Sequence, residues 1–242
     1  MTLDDILASL FPDGSDIQIA DTDVVGRATL PDGRPIHVLG ITQGAPLGVD
    51  EAIALAGRVI EIVASGDRAP ILLLVDSASQ RMSKRDELLG LSEYLAHLAK
   101  ALQLAEAEGH RTIGLLYGGS AAGAFIATAL ATSTLVALPS AQPAVMDLPS
   151  MARVTKLPID VLKAKAETTS VFAPGLDNMV RTGGVHLVWD AGAPLAAQLA
   201  AALERPTCGD ERNRLGAERG GRRKAAEIAD RVVAIATNAR PG

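Results

Sequence analysis

With 242 residues, 48% of them apolar, the chain has ample material for a buried core and is expected to form one globular unit over residues 1–242. Aromatics at 2% and a net charge of −5 exclude a nucleic-acid surface made of stacked rings and basic side chains. No apolar run approaches the roughly 20 residues that cross a bilayer, the start Met1-Thr2-Leu3-Asp4-Asp5 lacks an export signal, and the lone Cys208 has neither a disulfide partner nor a base beside it, so a cytoplasmic protein with an inert thiol is expected.

In chain order, residues 24–29 and 35–42 alternate as strands do, and Pro31-Asp32-Gly33-Arg34 between them signals a turn, so a hairpin is expected. A helix follows from Asp50 to Ala64. Ile71-Leu72-Leu73-Leu74-Val75 is an unbroken apolar run, the mark of a strand covered on both faces. A polar loop from Asp76 to Arg85 leads to a second helix ending near Gly109. Leu88, Leu91, Leu95, Leu98 and Leu102 form one stripe on it, read as burial against the sheet, with packing on another subunit as the alternative. A strand at 112–116, a tight turn, a helix over Ala121–Thr132 and short strands at 134–138 and 144–146 come next. After Pro158 the pattern is helical apart from a strand at 185–189, and helices over 192–204 and 217–237 close the chain. The last of these carries Ala225, Ile228, Ala229, Val232, Ile235 and Ala236 on one face, with the same two readings. Such strand–helix alternation predicts an α/β fold with a parallel sheet and crossover helices.

The most informative segment is Gly118-Gly119-Ser120-Ala121-Ala122. A buried strand ends, two glycines make a turn, and small residues begin a helix. Glycine lets a ligand approach the main chain closely, and the first amides of a helix have no internal partner. These five residues therefore read as a cradle for an oxygen anion, or equally as a device for close packing of strand and helix. A dinucleotide fingerprint is excluded by the late position and the spacing. A nucleophile elbow needs glycine where Ala122 stands, which weighs against Ser120 as a nucleophile.

Three segments, Ile71–Gln80, Leu115–Ala131 and Thr134–Ala152, occur together in an order that resembles the crotonase superfamily. Within it the chain is similar to carboxyltransferase half-subunits of acyl-CoA carboxylases, and most of all to gamma subunits of biotin-independent malonate decarboxylases. The resemblance implies a ClpP/crotonase-like spiral of ββα units whose turns expose backbone amides as oxyanion holes. It also implies a beta-subunit partner, in a heterodimer or heterotetramer, with the site between the two halves. The substrate would be malonyl-S-acyl carrier protein, whose CoA-like phosphopantetheine arm belongs to the substrate, and no cofactor would be bound by this chain itself. The family's loop after the Leu-Val-Asp strand is Gly- and Pro-rich, whereas here it reads Asp76-Ser77-Ala78-Ser79-Gln80-Arg81, which puts biotin binding in doubt.

Ser79, Gln80 and Arg81 are expected near the substrate, and Arg81 is a candidate partner for the malonyl carboxylate, with a solvated loop arginine as the alternative. Asp147 stands where hydratases of the superfamily carry a glutamate; it is read as a substitute base or a capping carboxylate. His37, His97, His110 and His186 show no metal-ligand spacing, so no metal is expected. Charge is uneven: residues 205–242 hold nine basic and five acidic residues, a net +4, which leaves −9 for residues 1–204. The basic tract at 212–224 is a solvated helix start or a docking patch for an acidic carrier protein. Alternatives to a lyase subunit are a serine hydrolase, a scaffold for the beta subunit, and half of a biotin-dependent carboxyltransferase.

Overall fold

The computed structural model describes residues 1–168, 173–206, 209–222 and 224–238, so the expectation for Cys208 lies outside the described residues. Thr2 starts the first helix, α1 (Leu3–Leu10). Its hydroxyl accepts the Asp5 N–H while the Asp5 carboxylate accepts the Thr2 N–H. An antiparallel meander follows, made of β1 (Ser15–Ala20), β2 (Asp23–Thr29) and β3 (Pro35–Leu47). The predicted hairpin is its second half, with Val25 opposite Leu39.

The chain then alternates helix and strand: α2 (Val49–Ala64), β4 (Ile71–Gln80), α3 (Lys84–Leu89), α4 (Leu91–Ala107), β5 (Thr112–Leu116), β6 (Gly119–Ala121), α5 (Ala122–Ala127), β7 (Thr134–Ala137) and β8 (Gln142–Ala144). After them come α6 (Leu148–Thr155), α7 (Ile159–Thr168), α8 (Leu176–Arg181), β9 (Leu187–Val188), α9 (Leu195–Glu204), α10 (Arg212–Glu218) and α11 (Ala225–Asn238). The main sheet runs β1-β2-β3-β4-β5-β7-β9 and is parallel from β3 onward, while β6 and β8 pair in a separate parallel ribbon.

The apolar run of β4 explains the layering. Ile71, Leu73 and Val75 face a core built with α2, α4 and α5, whereas Leu72 and Leu74 face a second core closed by α1 and α9. Both faces are buried, so the period-2 signal of a one-sided strand is absent. Among the described residues no helix is long and apolar enough to cross a membrane.

Four expectations need correction. The Leu-rich stripe is interrupted: the chain turns at Gly90 (φ 87°), so Leu91, Leu95, Leu98 and Leu102 are buried while Leu88 is 77% exposed. The expected helix over Ala121–Thr132 stops at Ala127 and ends in a 3-10 turn over Ala129–Ala131, where the Thr128 hydroxyl bonds the Ala124 carbonyl. The polar loop after Val75 is strand as far as Gln80. The closing helix over 217–237 is two helices, and α11 buries none of its residues.

His186 is structural. It is buried, and its Nδ1 accepts the Leu135 N–H at 3.0 Å, which fixes β9 beside β7. Burial, reinforced by Arg212, pushes its pKa down to about 4. An unfolded chain binds this proton near pH 6.5, whereas the fold resists it until about pH 4. Stability is therefore lost as pH falls through that window, by about 3 kcal/mol at most. The stability difference between wild type and His186→Gln should shrink from pH 7 to pH 4 in denaturant titrations; a pH-independent difference would refute this role.

Candidate active site

Strand β4 ends beside the glycine turn, and the two segments are stitched together in register. The Gly119 N–H donates to Asp76 Oδ1 at 2.9 Å, the Ser77 and Ser120 hydroxyls lie 2.9 Å apart, and the Gly123 N–H donates to Gln80 Oε1 at 2.8 Å. Each of these bonds joins residues 43 apart in sequence. Beyond the turn, β6 continues into its pairing with β8, Gly119 opposite Gln142. The whole assembly sits at the carboxyl ends of β4 and β5, where open parallel sheets hold their ligands.

This stitching decides what each predicted residue does. A Cβ on Gly118 would lie 2.0 Å from Asp76 Oδ1, so only glycine fits there. Gly119 is not a free donor, contrary to expectation, because Asp76 occupies its N–H. Gly118 keeps its N–H: no partner for it is found among the described residues, and the residue is half-buried. Ser120 is 2% exposed with its hydroxyl on Ser77, which leaves nothing to recommend it as a nucleophile. Ala121 and Ala122 are half-buried, and Ala122 holds a left-handed φ of 51°, an unfavourable conformation for a residue with a Cβ. Buried Tyr117, just before the turn, bonds Thr42 Oγ1 at 2.6 Å, and burial pushes its pKa up to about 12, so it stays protonated.

The side chains that set the 76–81 segment apart are spent on the protein itself. Gln80 caps the turn into α5, and Ser79 Oγ donates to the Gln80 carbonyl at 3.1 Å. Arg81 bonds Glu51 at 2.5 Å and lies 3.9 Å from Asp86, so it is an internal ion-pair residue and is not free to receive a malonyl carboxylate. Asp147 caps α6 by accepting the Ser150 N–H at 2.7 Å; the Ser150 bonds hold its carboxyl below the usual range, which makes it a poor base. Sequence reasoning missed Asp76 and Ser77 as locks because their partners are remote in the chain. Among the described residues no group of three or more His, Cys, Asp or Glu is placed to hold a metal.

A sheet whose parallel strands deliver a glycine turn to their carboxyl ends, with a small ribbon set off it, is a crotonase-type fold of the carboxyltransferase kind. Comparison with solved structures agrees. A Pseudomonas malonate decarboxylase hetero-tetramer in complex with coenzyme A contains a chain 25% identical to this one, with a TM-score of 0.75 and 97% of each chain covered. The Pseudomonas MdcD-MdcE hetero-dimer gives 26% identity, a TM-score of 0.72 and 95% of each chain. The 12S transcarboxylase shares the fold at 20% identity, with a TM-score of 0.67, 83% of this chain and 39% of that one.

The sequence model of the malonate decarboxylase gamma subunit matches residues 42–236, and the chain belongs to that family. A curated relative, the malonyl-S-ACP:biotin-protein carboxyltransferase MADD of Malonomonas rubra, is 29% identical over 196 residues, 73% of this chain and 67% of its own length.

Proposed function

We propose that this chain is half of a malonyl-thioester decarboxylase, completed by a homologous beta subunit in a heterodimer or heterotetramer, and that it works in the cytoplasm. The substrate is malonyl-S-acyl carrier protein. The bond between the α-carbon and the carboxylate breaks, carbon dioxide leaves, and the electron pair passes into a thioester enolate that then takes up a proton. The products are the acetyl thioester and carbon dioxide. The observation that carries this reading is the half-buried N–H of Gly118, without a partner among the described residues, at the mouth of the parallel strands. A preorganised amide there orients the departing carboxylate or stabilises charge as it forms.

The neighbouring Ala121 and Ala122 shape the same cradle. Asp76 brings negative charge beside it, so further donors from a second subunit are needed to favour an anion. Two facts support such a partner. The Pseudomonas relatives are hetero-oligomers, and α11 leaves Val232, Val233 and Ile235, which do not line its basic groove, between 59% and 64% exposed. The carrier's phosphopantetheine arm is part of the substrate, and this chain needs no cofactor of its own.

Reconstitution tests the reading. Release of carbon dioxide from malonyl-S-carrier protein and from malonyl-CoA is measured with this chain, the beta subunit and the pair; only the pair should turn over. Full activity in beta alone would reduce this chain to a scaffold. A second reading is carboxyl transfer to a biotin protein, favoured by the activity named for the Malonomonas relative. Under the first reading the pair alone releases carbon dioxide and avidin leaves the rate unchanged; under the second the acetyl thioester forms only when a biotin protein is added to receive the carboxyl group, and avidin abolishes it.

A further inference from the structure

A groove of about 1180 Å3 opens where α8, α10 and α11 meet the segment after β8. Four cations, Arg181, Arg212, Arg222 and Lys224, line it against a single carboxylate, Asp210, in a chain whose net charge is −5. Its apolar lining is Leu130, Val145, Met179 and Ile228.

Among the described residues, which leave out Arg223, the basic tract divides into two kinds. Arg214 is paired with Glu211 and Glu218 at 2.6 Å, and Arg219 donates to the carbonyls of Val180, Val185 and His186, so both serve the fold. Arg212 reaches the Thr132 carbonyl at 2.5 Å and lies 3.5 Å from Asp210. Arg181, Arg222 and Lys224 are exposed and make no ion pair among the described residues. Gly221 holds two of them together: a Cβ there would lie 2.1 Å from the Arg181 carbonyl oxygen, so Arg222 follows directly from a backbone contact with Arg181. The groove is linked to the proposed active site through β8: Val145, in its lining, directly follows the strand that pairs with Gly119–Ala121.

An apolar lining with a cationic rim is complementary to an acidic amphipathic helix. We infer that this groove docks an acidic helix of the acyl carrier protein, placing its thioester arm alongside the Gly118 turn. The inference rests on the decarboxylase reading above for the identity of the partner. Docking is electrostatically steered, so it is strong at low salt and fades as ions screen the rim.

The test uses the complex of this chain with its beta subunit and the apo carrier protein, which lacks the arm. Binding is followed by calorimetry at low and high salt. Arg222→Glu with Lys224→Glu should raise Kd by about tenfold or more at low salt, with a smaller effect at high salt. Arg68→Glu with Lys100→Glu makes the same charge change on other surfaces and should do little. Turnover of malonyl-CoA, which has no protein to dock, should be the same in all three complexes. Unchanged carrier affinity in the groove variant overturns the proposal. So does a raised KM for malonyl-CoA there, since the cations would then be binding the phosphates of the arm. If neither thioester is decarboxylated by any complex while the groove variant still loses carrier affinity, the docking site stands and the decarboxylase reading fails.

Discussion

Replacing Gly118 by alanine should cut turnover by about 100-fold or more while the heteromeric complex still assembles. The new Cβ would sit 2.0 Å from Asp76 Oδ1, inside any permitted contact. The carboxylate must then move, which frees the Gly119 N–H it now accepts and shifts the amide of residue 118 away from the substrate. Loss of one oxyanion donor costs roughly 3–4 kcal/mol of barrier, which sets the size of the effect. Gly119 is the milder position, since its Cβ would meet only the Ser77 carbonyl, at 3.0 Å.

A rescue separates this account from a general loss of structure. Combining Gly118→Ala with Asp76→Ala removes the clashing carboxylate, so part of the lost rate should return. The double variant gives up the Asp76 bond to Gly119 as well, and full recovery is not expected. Assembly is followed by gel filtration and turnover by release of carbon dioxide. Wild-type turnover in Gly118→Ala would show that the turn is not the site. An equal loss in the single and double variants would show that the clash is not the cause.

The sequence made some of this arrangement legible and hid the rest for a physical reason. Local signals served well: Pro31-Asp32-Gly33-Arg34 gave the β2–β3 hairpin, and the run from Ile71 to Val75 gave a strand covered on both faces. The alanine-rich stretch after Ala121 has high helix propensity and concealed the early stop at Ala127, which the Thr128 side chain helps to set by bonding a backbone carbonyl. Leu88 kept the helical spacing of the stripe, yet the turn at Gly90 puts it in solvent. The glycine turn was legible as a structural feature, and the roles of the residues around it were not. Asp76 and Ser77 read as loop residues and Gln80 as a residue near the substrate, and all three are the locks of the turn. Each reaches a partner 43 residues away, a register that exists only once β4 and β5 lie side by side. The strand end, two glycines and small residues located the turn; only the folded register showed which of its amides is left over.

Phe125 ties the turn to the core, and Phe125→Ala should be the most destabilising single change near the site. The ring is fully buried in the cluster that holds Leu73, Val75, Leu98 and Leu102, and it belongs to α5, a helix of six residues with little stability of its own. Truncation removes the transfer energy of the ring and leaves a cavity that rigid strands on one side cannot close, a loss of about 3–5 kcal/mol. For a domain of this size the melting temperature should fall by about 10 °C. Phe125→Leu keeps most of the volume and should lose about 1 kcal/mol. The neighbouring Ile126 is 50% exposed, so Ile126→Ala in the isolated chain should change stability little. Differential scanning calorimetry of the three variants orders these effects. A Phe125→Ala loss no larger than that of Ile126→Ala would mean that α5 is not anchored by this ring, and the bonds from Asp76, Ser77 and Gln80 would then have to hold the turn by themselves.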